Sequence, residues 1–153
     1  MANRLRPGDR APAFSLRDQE GKLVSLADFQ GRRVLVYFYP KAGTPGCTAQ
    51  ACGLRDVLSQ VGGTAVIGIS PDPPESQAAF DAKYGLGFPL LSDEDHSVAE
   101  SYGVWVQRNM YGRKFMGIER SAFLVGPDGR LEKAWYKVAP AATATNLLAA
   151  LRA

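Results

Sequence analysis

Two apolar runs dominate the pattern of the chain. Arg33-Val34-Leu35-Val36-Tyr37-Phe38-Tyr39 is stopped by Pro40, and Thr64-Ala65-Val66-Ile67-Gly68-Ile69-Ser70 is stopped by Pro71. Continuous rather than alternating apolar character, rich in β-branched and aromatic residues, predicts strands buried on both faces. Between them Thr48 to Val61 predicts a helix closed by Gly62-Gly63. Pro73-Pro74-Glu75-Ser76 opens a second helix running to about Tyr84, with Ala78, Ala79, Phe80 and Tyr84 available to pack inward and Gly85 to stop it. Phe88 to Ser92 is a shorter strand. Asp93-Glu94-Asp95 then supplies acidic residues to cap a short helix through Ser97 to Tyr102, a better account of the trio than cation binding.

The ends of the chain complete the picture. Phe14-Ser15-Leu16 and Leu23 to Leu26 flank Asp18-Gln19-Glu20-Gly21 and predict an N-terminal hairpin, followed by one helical turn at Ala27-Asp28-Phe29. Ser121 to Gly126 and Arg130 to Tyr136 flank Pro127-Asp128-Gly129, a second hairpin, and Ala142 to Leu151 reads as a closing helix. Trp105 to Gly117 has no clear period and reads as a folded surface loop. Strands alternating with helices, then a hairpin and a last helix, predict an α/β chain of thioredoxin-like arrangement: a central mixed sheet flanked by helices, with an N-terminal β-hairpin extension.

Composition narrows the class without naming a chemistry. At 153 residues, 46% hydrophobic and 22% charged, residues 1–153 are expected to form a single domain with its own core. No apolar run is long enough to span a bilayer, and Met1-Ala2-Asn3-Arg4-Leu5-Arg6-Pro7 lacks the apolar stretch of a signal peptide, which points to a cytoplasmic protein. The net charge is +3, but the eighteen basic residues are scattered, and Arg108, Arg113 and Lys114 among the aromatics after Trp105 read as surface, not as a nucleic-acid footprint. His96, the one histidine, is expected on the surface of a helix, with no role.

Only two cysteines are present, Cys47 and Cys52. In a reducing compartment so close a pair points to reversible redox chemistry or metal binding, and a metal needs more ligands than one histidine and one Cys pair provide. Cys47 follows Thr44-Pro45-Gly46 where a central strand has ended and a helix begins. Unpaired amides at a helix N-terminus favour a thiolate, the nucleophilic form. Thr44 places a hydroxyl three residues before the sulfur, and Pro40, without an amide proton, can wall a pocket without competing for the anion. An inert buried thiol in a proline-shaped loop is the plainer alternative at this point. In a regular helix Cys47 and Cys52 are about 8.6 Å apart at their α-carbons. A disulfide tolerates roughly 7 Å, so bonding the two requires local unwinding, which Gly53 eases.

Pro40, Thr44 and Cys47 form a Pro-x-x-x-Thr-x-x-Cys motif, and Cys47 to Cys52 is Cys-x-x-x-x-Cys, followed by Gly53-Leu54-Arg55-Asp56. This resembles the peroxiredoxins, in particular the bacterioferritin-comigratory-protein or peroxiredoxin Q subgroup. Gly8 to Phe14, Gly68 to Asp72, Leu90 to Asp95, Tyr102-Gly103-Val104 and Arg120 to Leu124 also look like family segments. The resemblance implies a thiol peroxidase for hydrogen peroxide and organic hydroperoxides that needs no metal, haem or flavin. It makes Cys47 the peroxidatic cysteine, Cys52 the resolving one that closes an intramolecular disulfide, Thr44 the hydroxyl that orients peroxide, Pro40 the shield and Arg120 the cation that stabilises the anions. It further implies recycling by thioredoxin or a similar donor, and a monomer or weak homodimer. Two other readings stand beside it: a thioredoxin-like dithiol-disulfide oxidoreductase, disfavoured by the spacing and by Arg120 where thioredoxins place a proline, and a redox-switched binding protein.

Overall fold

The computed structural model describes residues 4–152. Its central element is strand β3 (Val34–Phe38), every residue of which is buried. On one side β3 pairs in parallel with β4 (Ala65–Ser70), which pairs in parallel with β5 (Leu90–Ser92). On its other side β3 runs antiparallel to β8 (Ser121–Val125), itself antiparallel to β9 (Leu131–Trp135). The N-terminal hairpin, β1 (Ser15–Arg17) with β2 (Leu23–Ser25), joins the same sheet because Arg17 pairs with Ser92, so it is the edge of the sheet rather than a separate extension. The order is β2-β1-β5-β4-β3-β8-β9.

The alternation of β3 divides the core. Leu35 and Tyr37 face a cluster with Ala51 and Leu54 of α1 (Pro45–Val57), Phe80 of α2 (Pro74–Tyr84) and Leu147 of α4 (Ala142–Arg152). Val34, Val36 and Phe38 face the opposite cluster, which includes Val98 and Ala99 of α3 (Ser97–Ser101), Tyr102 and Phe123. Helices therefore lie on both faces, as the pattern predicts. A strand covered on both sides has no polar positions to alternate, hence its unbroken apolar run.

Several local expectations need correction. The cysteine helix begins at Pro45, not Thr48, because proline at the first helical position loses no bond there. It ends at Val57 and passes through a 3-10 turn at Leu58–Gln60. In α2, Ala79 is exposed, while Gln77 is buried and hydrogen-bonds Ser70 and the carbonyl of Leu91. Trp105 to Gly117 is not a loop but an antiparallel arm, β6 (Trp105–Met110) and β7 (Arg113–Ile118). Its two-residue turn, Tyr111-Gly112, has φ of 54° and 77°, the pattern of a tight type I′ hairpin, with tyrosine where asparagine would have signalled the turn. His96 precedes α3 rather than lying within it, at φ 52°, with its ring stacked 3.9 Å from that of Trp105.

Two of the acidic trio cap α3: the carboxylate of Asp93 accepts from the amides of Val98 (3.2 Å) and Ala99 (2.9 Å), and Asp95 from that of Ser97 (3.1 Å). Burial pushes the Asp93 carboxyl above its ordinary pKa, and the two amides pull it back.

The floor beneath the end of β3 is tightly packed. A methyl group added at Gly68 would meet Cζ and Oη of Tyr37 at 2.9 Å and Cε1 of Tyr39 at 3.0 Å, and both rings are essentially inaccessible to solvent. Neither tyrosine has room to withdraw. Gly68→Ala is therefore expected to destabilise the chain by about 1–3 kcal/mol, measured by denaturant unfolding of the reduced protein.

Candidate active site

β3 delivers the chain to the centre of one end of the sheet. Tyr39 is still buried there and Pro40 is exposed. The loop that follows is held from below: the amide of Ala42 donates to Asp72 Oδ2 at 2.7 Å, and Ser70 Oγ donates to the same oxygen at 2.6 Å. Gln77 Nε2 donates to Ser70 Oγ (2.9 Å), and Tyr39 Oη donates to Gln77 Oε1 (2.5 Å). These bonds tie the loop to the end of β4 and to α2. Thr44 is then the N-cap residue of α1 with extended backbone, its carbonyl taking the first helical bond from Thr48 at 2.8 Å.

Cys47 falls in the first helical turn and is fully buried. The β3–β8 register pairs Phe38 with Ser121, so Arg120 stands beside the point where the chain leaves β3. Arg120 Nη1 lies 3.4 Å from Cys47 Sγ and donates to Gln50 Oε1 at 2.7 Å. Gln50, fully buried one turn after Cys47, donates through Nε2 to Thr143 Oγ1 of α4 at 3.0 Å, and Thr143 donates to the carbonyl of Ala139 at 3.3 Å. The backbone of Arg120 is fixed too, its carbonyl accepting from the amide of Val138 at 2.9 Å. A thiolate at Cys47 thus faces a guanidinium whose position is set by three separate elements. A hydrogen bond to a charged group of this kind contributes roughly 1.5–3 kcal/mol.

The two buried tyrosines near the sulfur stay neutral. Burial above all, then Tyr39 and Cys47, push the Tyr37 phenol well above its ordinary pKa, with Arg120 acting the other way. Burial does the same to Tyr39 against the pull of its bonds to Ser70 and Gln77. The Tyr37 hydroxyl is buried without a hydrogen-bond partner. Between the loop and the β6–β7 arm lies a cavity of about 480 Å³ bordered by Pro40, Val106, Arg108, Arg120, Lys137 and Val138. Arg120 both borders this cavity and touches the buried sulfur.

The structure brings Cys47 and Arg120 into contact, with Pro40 at the rim of the cavity that Arg120 borders. Thr44 sits at the head of the helix, its Oγ1 donating to the carbonyl of Lys41 at 2.8 Å, so its lone pairs remain free to accept. Cys52 lies on the same continuous helix as Cys47, partly buried, and both thiols are free. Five helical steps separate the two α-carbons by about 8.6 Å, beyond disulfide reach. Gln50 and Thr143 were not legible as site residues. They meet across 93 positions of sequence, and the only signal was a polar residue at Cys47+3 in an otherwise apolar helix face.

Comparison with known proteins identifies the family. Residues 7–134 match the AhpC/TSA family model. The chain is 55% identical over 132 residues to peroxiredoxin Bcp of Escherichia coli K12, covering 85% of each, and 52% identical over 151 residues to a putative peroxiredoxin of Mycobacterium tuberculosis, covering 97% of this chain and 94% of that one. Among solved structures it superposes on the bacterioferritin comigratory protein of Xanthomonas campestris with a TM-score of 0.87 at 36% identity, covering 99% and 98% of the two chains. For a cysteine-to-serine mutant of Xylella fastidiosa peroxiredoxin Q the TM-score is 0.91 at 31% identity, covering 98% and 97%. With its fold, its buried cysteine and its sequence in agreement, the chain belongs to the AhpC/TSA family and, within it, to the peroxiredoxins of the bacterioferritin-comigratory-protein and peroxiredoxin Q kind.

Proposed function

We propose that this thiol-dependent peroxidase reduces hydrogen peroxide and organic hydroperoxides through Cys47, with Cys52 as resolving cysteine and a thioredoxin-type dithiol of the cytoplasm as reductant. The observation that carries the assignment is the Arg120 guanidinium 3.4 Å from Cys47 Sγ, while Cys52 waits on the same helix. The thiolate attacks one peroxide oxygen. The O–O bond breaks, its electrons leave on the alkoxide or hydroxide, which takes a proton, and Cys47 becomes a sulfenic acid. Arg120 is placed to hold both the thiolate and the charge that builds on the leaving oxygen. In this reading Thr44 Oγ1, whose own proton goes to the carbonyl of Lys41, accepts a hydrogen bond from the bound hydroperoxide. The Cys52 thiol then attacks the sulfenic sulfur, water leaves, and a disulfide forms once the first turns of α1 have opened. Alkyl peroxide reduction is the activity named for the Xanthomonas campestris protein, which supports the organic substrates.

The proposal gives the two cysteines different roles. Cys47→Ser is expected to abolish peroxide turnover. Cys52→Ser is expected to consume one oxidising equivalent and then gain mass in steps of one oxygen under excess peroxide, followed by stopped-flow and intact-mass measurements. Retained turnover in Cys47→Ser would reverse the assignment.

Gly46 sets the position of Arg120. A methyl group there would lie 3.0 Å from Arg120 Nη2 and 3.6 Å from Pro140 Cγ. Gly46→Ala is expected to leave unfolding stability within about 1 kcal/mol of the unaltered protein, the helical preference of alanine, roughly 0.5–1 kcal/mol, being offset by crowding against Arg120. By displacing the guanidinium it slows reaction with peroxide by about tenfold.

Disulfide formation must melt helix. Amides from Cys47 to Leu58 are expected to exchange hydrogen faster in the oxidised protein than in the reduced one, while β3 amides keep their protection. Equal protection of the helix in both states would exclude the opening.

A further inference from the structure

The β6–β7 arm takes no part in the chemistry described so far, yet its composition is unlike the rest of the surface. Leu23 aside, the large apolar side chains exposed among the described residues all belong to it: Met110 (57% exposed), Tyr111 (97%), Phe115 (42%) and Met116 (50%). Residues 105–118 also carry Arg108, Arg113 and Lys114 and contain no aspartate or glutamate. The register places Arg108 opposite Phe115 and Met110 opposite Arg113, so these four share one face, continued toward the root by Val106 opposite Gly117. Val106 and Arg108 on that face border the cavity that Arg120 also borders, as do Gln107 and Asn109 from the other face and Glu119 just beyond the arm. Met116 and Lys114 lie on the other face, opposite Gln107 and Asn109. The root is fixed: Ile118 is buried, and Arg108 Nη1 donates to its carbonyl at 2.6 Å.

We infer that the Val106–Arg108–Met110–Arg113–Phe115 face of the arm is the docking surface for the protein that reduces this chain, and that the partner is an acidic dithiol protein whose carboxylates and apolar rim surround its reactive cysteine. The inference rests on the disulfide cycle proposed above. After each turnover a thiolate of the partner attacks one sulfur of the Cys47–Cys52 disulfide and expels the other as a thiolate. The partner's second thiol then attacks the mixed disulfide. Two electrons pass to this chain, its two cysteines end as thiols, and the partner leaves as a disulfide. The arm forms one wall of the cavity that Pro40 and Arg120 also border, so a partner seated on the arm lies next to the loop that leads into the cysteine helix. A face of cations and apolar side chains with no acid selects a partner of the opposite charge, through encounter rate and orientation more than through contact area.

The test compares the two faces with turnover at saturating peroxide. The double variant Met110→Ser/Arg113→Glu alters the proposed face, and Lys114→Glu/Met116→Ser alters the other. With a thioredoxin of net negative charge as reductant, the first is expected to raise the KM for thioredoxin about tenfold with kcat unchanged, and the second to shift it less than about twofold. Raising salt from about 50 mM to about 300 mM should raise the KM of the unaltered protein and leave that of the first variant nearly flat. With dithiothreitol as reductant all three proteins should turn over alike, and all should be oxidised by peroxide at the same rate. Equal KM values for the two faces, or an equal loss with dithiothreitol, overturn the docking surface. So does a fall in sedimentation coefficient caused by the first variant, which would show a second copy of the chain covering the arm. So too does loss of binding to anionic phospholipid vesicles with no change in KM. Failure of the disulfide cycle itself is a distinct result: the unaltered protein treated with peroxide would then gain the mass of an oxygen instead of losing two hydrogens.

Discussion

Everything at the site depends on holding one positive charge against one buried sulfur. The contact of Arg120 Nη1 with Cys47 Sγ at 3.4 Å joins a loop residue beside the antiparallel half of the sheet to the first turn of a helix reached from its parallel half. A shift of one residue in the β3–β8 register would turn every side chain of β8 to the opposite face and carry Arg120 away from the end of β3. That register is held by the apolar residues of both strands, Val34 to Phe38 and Ala122 to Val125, all buried. The chemistry is therefore supported by the packing of the core rather than by the loop that displays it.

The guanidinium has two partners, and they belong to the same helix. Gln50 takes the shorter bond and hands the restraint on to Thr143 of α4. Gln50 also lies between the two cysteines, inside the segment that must open before they can join. When that segment opens, the bonds from Gln50 to Arg120 and to Thr143 are lost together. Attack and resolution thus require incompatible states of the same few residues, and the enzyme works by passing between them.

Much of this was legible in the sequence because the relevant signals were local. Pro40 and Pro71 marked the strand ends, Thr44-Pro45-Gly46 marked the head of the cysteine helix, and the five-residue spacing already excluded a disulfide within regular helix. Asp93 was legible as a cap because its partners are five and six residues away. What stayed hidden was either non-local or locally atypical. The link from Gln50 to Thr143 depends on how α1 and α4 pack, which no short window contains. The β6–β7 arm escaped because its strands carry polar and charged residues on both faces, and because Tyr111 takes a positive φ that a sequence reader expects of asparagine or glycine. Gln77 escaped for a related reason: a buried glutamine bonded to Ser70, Tyr39 and the Leu91 carbonyl looks, by composition alone, like a surface position of a helix.

The bond between Gln50 and Thr143 also has a meaning for the making of the protein. On the ribosome Thr143 emerges 93 residues after Gln50, when β3, the cysteine helix and Arg120 have already been synthesised. Until α4 docks, Gln50 lacks its second anchor and holds the guanidinium on its own. The restraint on the charge beside Cys47 is therefore completed only by the last helix to be synthesised among the described residues.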